Sequence, residues 1–93
     1  MDKPPSPRRR IKLEYPKGAR LRGEEGDVTL ELDITKDGVV GGVRIVDADS
    51  CSFDELKQAA VQAVKRARFT PARRGSANVP STARITLTFR LRD

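Results

Sequence analysis

The sequence predicts an α+β fold in which a three-stranded antiparallel sheet carries two helices packed on one face, in the order α-β-β-α-β. Residues 28–35 and 82–92 alternate strictly between apolar and polar side chains, which is the period of a half-buried strand. Residues 53–67 instead repeat their apolar positions at helical spacing. Asp37-Gly38 follows the first strand and is a strong signal for a tight hairpin turn.

The first ten residues differ in composition from the rest of the chain. They hold three prolines and three consecutive arginines, which favour an extended, stiff segment. We therefore expect residues 1–10 to be a linker remnant and residues 11–93 to form the domain. Residues 11–15 alternate weakly and predict an extended arm that lies against the domain.

The first half of the domain predicts a short helix and a hairpin. Residues 16–23 favour the helix, because the proline at the start suits the first turn and the glycine at the end stops it. Residues 39–46 form the second strand of the hairpin. Its apolar side chains change phase across Gly41-Gly42, and a bulge at these glycines would restore the register.

The second half predicts a longer helix, a loop and a final strand. Ser52 and Glu55 match a capping box at the start of the helix, and Pro71 ends it. Residues 74–81 contain glycine, asparagine and proline and predict a loop. The final strand is expected to direct five apolar side chains inward: Ala83, Ile85, Leu87, Phe89 and Leu91.

The positive charge is concentrated at the start of the chain. The net charge is +6, yet residues 23–93 hold eleven basic and eleven acidic side chains and are neutral. The first 22 residues hold eight basic side chains against two acidic ones. A basic arm on a neutral body fits a tether near an anionic surface or partner, and a solvated linker end is the alternative.

The sequence favours no catalytic, cofactor or metal site. It has no histidine, and its single cysteine, Cys51, cannot form an internal disulfide. The acidic pairs Asp47/Asp49 and Asp54/Glu55 do not make a dense ligand cluster. We therefore expect a protein that acts through a binding surface and is not an enzyme.

Two motifs resemble the C-terminal domain of the TonB family. Residues 68–73 read Arg-Phe-Thr-Pro-Ala-Arg after the long helix, and Tyr15-Pro16 precedes the short one. The order of these motifs, the hairpin and the final strand is similar to that family over about residues 13–92. The resemblance implies a periplasmic module that couples an inner-membrane energy source to an outer-membrane transporter, with its membrane anchor elsewhere in a longer protein.

The resemblance also implies a partner-binding edge. In the family the final strand recruits a short transporter segment by strand addition, which places this contact on residues 84–90 here. An ordinary edge strand, with arginines that prevent aggregation, is the alternative. The expected partner-binding residues are Lys12, Leu13, Tyr15, Pro16, Arg84, Thr86, Thr88 and Arg90.

Two departures from the family pattern bear on the partner. The family commonly has tryptophan at the position of Ala67, so we expect the long helix to pack differently or less tightly against the sheet. Well-known members have glutamine at the position of Lys12. If that position contacts the partner, a partner other than the usual one is expected.

The expected partner is an outer-membrane transporter segment or another periplasmic protein, bound by a monomer or weak dimer. An assembly domain that pairs edge to edge with itself is an alternative. A nucleic-acid binder that uses Arg8, Arg9 and Arg10 together with the Arg/Thr face of the final strand is less favoured, because the body is neutral and lacks exposed aromatic side chains for base stacking.

Overall fold

The structure is a computed structural model that describes residues 2–91. Within them the chain forms a three-stranded antiparallel sheet, two helices and two short two-stranded pairings around one core. The elements in chain order are β1 (Ser6–Pro7), α1 (Lys17–Leu21), β2 (Gly26–Ile34), β3 (Val40–Ile45), a 3-10 turn (Asp47–Asp49), α2 (Asp54–Arg66), β4 (Phe69–Thr70), β5 (Ala72–Arg74), β6 (Ala77–Val79) and β7 (Ser81–Phe89).

The central sheet confirms the predicted antiparallel α+β architecture. Its described strands lie in the order β3-β2-β7, so β2 is central. The register between β2 and β7 runs without a break from Gly26 opposite Phe89 to Ile34 opposite Ser81. Among the described residues, β7 pairs with β2 only, and its other side is an edge of the sheet.

The core lies between one face of the sheet and both helices. Every second side chain of β2, from Val28 to Ile34, is buried, as the alternation predicts. Ala19 of α1 packs into the same cluster. The small side chain of Ala60 on α2 is fully buried, and this lets the helix lie close to the sheet. The buried core comprises Ala19, Val28, Leu30, Leu32, Ile34, Leu56, Ala60, Val64, Phe69 and Phe89.

The predicted hairpin turn and bulge are both confirmed. Gly38 has φ of +83°, a left-handed conformation that the turn requires and that glycine adopts without strain. Asp33 pairs with Gly42 but Ile34 pairs with Val40, so Gly41 is the extra residue of a bulge. The bulge returns the apolar side chains of β3 to the core face.

The predicted loop over residues 74–81 is wrong. This segment contributes to a small hairpin, in which Ala72–Arg74 pairs with Ala77–Val79 around Gly75. Most side chains of the hairpin are exposed, so neither strand carries the buried face that produces an alternating pattern. The final strand then runs from Ser81 to Phe89, so the strand predicted over residues 82–92 ends too late. Leu91 lies beyond the strand, where its N–H donates to the Glu25 carboxylate, and Arg92 lies outside the described residues.

The predicted capping box is also wrong. The N-cap of α2 is Phe53, and no side chain there bonds to the free amides of the first turn. Glu55 turns instead toward α1, where its carboxylate forms an ion pair with Arg22. This tertiary partner competes with the local cap for the same carboxylate.

The proline-rich start of the chain lies against the body. Its strand β1 pairs with β4, and Lys3 exchanges two backbone hydrogen bonds of 2.9 Å each with Arg73. The arm predicted over residues 11–15 is confirmed, because Ile11, Leu13 and Tyr15 pack against the core.

Candidate protein-binding site

The direction of the backbone groups in β2 fixes which residues of β7 face outward. In an antiparallel ladder, a residue directs its N–H and C=O to the same neighbour, and successive residues alternate. The carbonyl of Thr29 accepts a hydrogen bond from the N–H of Val46 at 2.8 Å. The carbonyl of Asp27 likewise accepts one from Cys51 at 2.8 Å. These odd-numbered residues face away from β7, so the even-numbered residues of β2 bond to it.

The free edge of β7 therefore presents a defined set of amides. Ile85 lies opposite Leu30 and Leu87 opposite Val28, so the odd-numbered residues of β7 use their backbone groups in the ladder. The residues between them direct N–H and C=O outward. In residues 2–91, no other strand accepts or donates a bond at these outward positions, which are Thr82, Arg84, Thr86 and Thr88.

The side chains of the same residues lie on the polar face of the sheet, where intramolecular partners hold them. Arg84 donates a 2.9 Å hydrogen bond to Glu31 of β2 and lies 3.7 Å from Asp49. Arg44 of β3 also pairs with Asp33, at 3.0 Å. The Arg84 hydrogen bond holds the pKa of the Glu31 carboxyl below its usual value, and Arg44 does the same for Asp33.

Thr86 belongs to a hydroxyl network on that face. Its Oγ1 lies 2.8 Å from Oγ1 of Thr29, which in turn donates to the Asp49 carbonyl at 3.0 Å. Ser50 Oγ accepts the Thr29 N–H at 3.0 Å. The loop after β3 thus packs over Thr29 in the middle of β2, and Thr86 of β7 lies at the edge of this contact.

Tyr15 and Arg90 meet at the end of β7. The Tyr15 ring packs edge-on against Phe89, with ring centroids 5.4 Å apart. Its hydroxyl donates to the Glu24 carbonyl, and desolvation, followed by the nearby Glu25, raises the pKa of Tyr15. Arg90 lies 3.8 Å from Asp27 and lines a surface depression together with Tyr15. The structure therefore brings two of the expected site residues together.

The other expected residues near the N-terminus lie elsewhere. Leu13 packs against the core, and Pro16 is the N-cap of α1. Lys12 lines a groove of about 610 Å³ between residues 8–14 of the N-terminal segment and the end of α2. We call this feature the basic groove. Its lining residues are Arg8, Arg9, Arg10, Ile11, Lys12, Glu14, Ala63, Arg66, Ala67 and Arg68.

The sequence predicted a basic arm but not this groove. Arg66 and Arg68 belong to the neutral body in the sequence, and their position beside Arg8 depends on the pairing of β1 with β4. The signal that was available is the cluster of charge in the first 22 residues.

The described residues show neither a metal-binding cluster nor a membrane-spanning helix. Over residues 2–91, histidine, cysteine and carboxylate side chains do not come together in groups of three or more. Helices in the same part of the chain are too short or too polar to cross a bilayer.

Comparison with known proteins identifies similar sequences over most of the chain. A family model described as Gram-negative bacterial TonB protein C-terminal matches residues 11–91. Protein tonB2 of Pseudomonas aeruginosa is 36% identical over 78 residues, which cover 84% of this chain and 28% of that protein. Protein TonB of Helicobacter pylori is 39% identical over 56 residues, which cover 60% of this chain and 19% of that protein. The chain thus spans less than a third of these relatives.

Solved structures share the fold. The solution structure of the Pseudomonas aeruginosa TonB C-terminal domain superposes with a TM-score of 0.77 at 27% identity, covering 96% of this chain and 88% of that one. The solution structure of the Helicobacter pylori TonB C-terminal domain superposes with a TM-score of 0.64 at 28% identity, covering 86% and 70%.

Proposed function

The chain belongs to the TonB C-terminal domain family, and on that premise we propose that it is a periplasmic module that binds an outer-membrane transporter by strand addition at β7. Members of this family are energy transducers and not enzymes. The proposed role is to couple an inner-membrane energy source to the transporter. A part of the protein outside these residues would provide the tether to the inner membrane.

The outward backbone of β7 is the observation that supports this proposal. Every second residue of β7 directs its backbone N–H and C=O outward, so an extended peptide can form hydrogen bonds with each of them as an added strand. These residues are Thr82, Arg84, Thr86 and Thr88. Each such hydrogen bond contributes only about 0.5–1.5 kcal/mol net. A pull along the strand would load the bonds together, which suits a mechanical coupling.

The side chains of the expected site have a secondary role in this proposal. Arg84 and Thr86 already contact β2 and the loop after β3, so their side chains hold the edge in place. Tyr15 and Arg90 line the depression at the end of β7, where the peptide would leave the strand. Affinity would then come from the backbone, and selectivity from the side chains on either face.

A proline substitution tests the proposal at one amide. Thr86→Pro removes an outward N–H and leaves the ladder to β2 intact, so we expect transporter-peptide binding to be lost while the circular dichroism spectrum is retained. Binding is measured by isothermal titration with synthetic peptides that represent the periplasm-facing segments of outer-membrane transporters.

Thr86→Val is the matched control, because it removes the hydroxyl that contacts Thr29 and keeps the amide. We expect it to bind as the unmodified domain does. Thr88→Pro should reproduce the loss at the next outward position. Peptide binding that survives both proline substitutions would contradict strand addition at β7.

The same edge could pair with a second copy of the chain, and one observation favours this alternative. Part of the β3 edge is covered, because Val39 pairs with Arg68, whereas β7 presents its whole length. Light scattering over a range of concentrations distinguishes the two functions. A stable dimer that Thr86→Pro converts to a monomer would favour self-assembly.

A further inference from the structure

The basic groove brings together positive charges that have few carboxylates to balance them. Among the described residues, six cationic side chains line it, and Glu14 is the one carboxylate that does so. Glu14 lies 3.6 Å from Arg66, and within residues 2–91 the other five cations have no carboxylate within 4.0 Å. The cationic lining comprises Arg8, Arg9, Arg10, Lys12, Arg66 and Arg68.

Backbone hydrogen bonds hold the wall of the groove that the arm supplies. The N–H of Arg8 donates to the carbonyl of Arg68 at 2.9 Å, and β1 pairs with β4 immediately before it. The side chain of Arg8 therefore projects from backbone that β4 and Arg68 hold, and Arg9 and Arg10 follow it directly in the chain. Cations that are positioned before binding lose less conformational entropy when a ligand arrives.

The floor of the groove is small and apolar. Ala63 and Ala67 lie on the α2 side and Ile11 on the arm side. A volume of about 610 Å³ is within the usual range for ligand sites, roughly 300–1,000 Å³. A negatively charged ligand with an extended shape suits this combination of cationic walls and small apolar floor.

We propose that the basic groove binds an extended acidic segment of a partner protein, rich in Asp and Glu. Guanidinium groups bind carboxylates through paired, charge-assisted hydrogen bonds. Arg66 already lies 3.6 Å from the Glu14 carboxylate as an exposed ion pair. The groove is concave between two walls, so a peptide can enter where a flat membrane surface cannot. It has no aromatic lining, which disfavours stacking of nucleic-acid bases.

This site is separate from the edge of β7 and adds a second contact to the proposed function. The experiment measures fluorescence anisotropy of a fluorescein-labelled peptide of repeated Asp-Glu flanked by glycines, at about 0.15 M salt. The groove variant carries Arg8→Gln, Arg66→Gln and Arg68→Gln. A control with the same net charge carries Arg22→Gln, Arg44→Gln and Lys57→Gln, which replace cations that are paired elsewhere.

We expect the groove variant to weaken peptide binding by about tenfold or more and the control to weaken it far less. Ala67→Trp keeps every charge and fills the floor, so it should also weaken binding. Ala67→Leu serves the same purpose if the larger ring prevents folding, which thermal denaturation of each variant reports.

Three results would overturn the proposal. Equal loss in the groove variant and the control would show that only net charge attracts the peptide. Full binding by a folded Ala67 variant would place the peptide outside the groove. Binding of the unmodified domain to phosphatidylglycerol vesicles or to a single-stranded oligonucleotide, but not to the peptide, would assign the groove to another class of partner.

Discussion

The polar face of the sheet and the basic groove both carry arginine side chains, but within residues 2–91 these are paired with carboxylates on the sheet and mostly unpaired in the groove. On the sheet, Arg84 and Arg44 lie against Glu31 and Asp33, so each charge has a partner on a neighbouring strand. In the groove, one carboxylate lies among six cations within the part of the chain that the structure describes. The count of charges in the sequence does not distinguish these states, because pairing depends on which strands are neighbours.

The difference suggests distinct roles for the two regions. On the sheet, the arginine side chains are paired with carboxylates, and within the described part of the chain the outward backbone N–H and C=O groups of β7 are free to bond to a partner. In the groove, the backbone of Ser6–Arg8 bonds to β4 and Arg68, and among the described residues every lining cation except Arg66 lacks a carboxylate partner. A partner would therefore meet main-chain donors at one region and guanidinium groups at the other.

The largest expected effect comes from the core that supports both regions. Phe89 is fully buried at the end of β7 and supports the ring of Tyr15. Phe89→Ala should lower the free energy of unfolding by about 3–5 kcal/mol, because it leaves a large cavity. Urea denaturation measures this loss. A change below about 1 kcal/mol would contradict the packing of Phe89 in the core.

A smaller effect is expected from a substitution that disturbs the β4 pairing beside the groove and leaves the β7 edge in place. Gly38 has φ of +83°, and a Cβ there would overlap the carbonyl oxygen of Phe69 in β4. Gly38→Ala should lower the free energy of unfolding by about 1–3 kcal/mol through backbone strain, and it should displace β4 together with β1, the strand paired with it. Thermal denaturation measures the stability. Hydrogen exchange should show faster opening at the arm amide of Arg8 than along β7, and the reverse order would contradict this arrangement.

The smallest effect concerns the paired charges. The folded-state pKa values of Glu31 and Asp33 lie below their usual values of 4.5 and 3.8, so their contribution to stability is present at neutral pH. It should be lost as the pH falls below about 4.5 and through the folded-state values. Melting temperatures measured from pH 7 to pH 3 report this loss.

Glu31→Gln provides the control for that titration. It should flatten part of the decline in melting temperature, because it removes a carboxylate that titrates against Arg84. An unchanged pH profile in this variant would mean that the ion pair is not formed in solution.

The sequence was sufficient to predict those elements that have one buried face. The alternation in β2 and β7 predicted their inward residues, and the glycines predicted the turn and the bulge. The hairpin of β5 and β6 was missed because it lacks a buried face. The capping box failed because Glu55 pairs with Arg22, 33 residues earlier in the chain.

The candidate sites were predictable only in part, for the same physical reason. The alternation predicted that Arg84, Thr86 and Thr88 point away from the core, and they do, because side-chain and backbone direction both alternate with a period of two. Their contact with a partner stays a prediction. The basic groove joins Arg8 to Arg68 across the sequence, and no local pattern encodes that pairing. Long-range pairing is also what places Tyr15 beside Phe89.

Amide hydrogen exchange along β7, read residue by residue by NMR, tests the central claim most directly. In the free domain, the amides of Ala83, Ile85 and Leu87 should exchange slowly because they bond to β2, and those of Arg84 and Thr86 should exchange quickly. Saturation with a transporter peptide should slow the second set. The account is contradicted if those amides are already protected in the free monomer, or if they stay unprotected with the peptide bound.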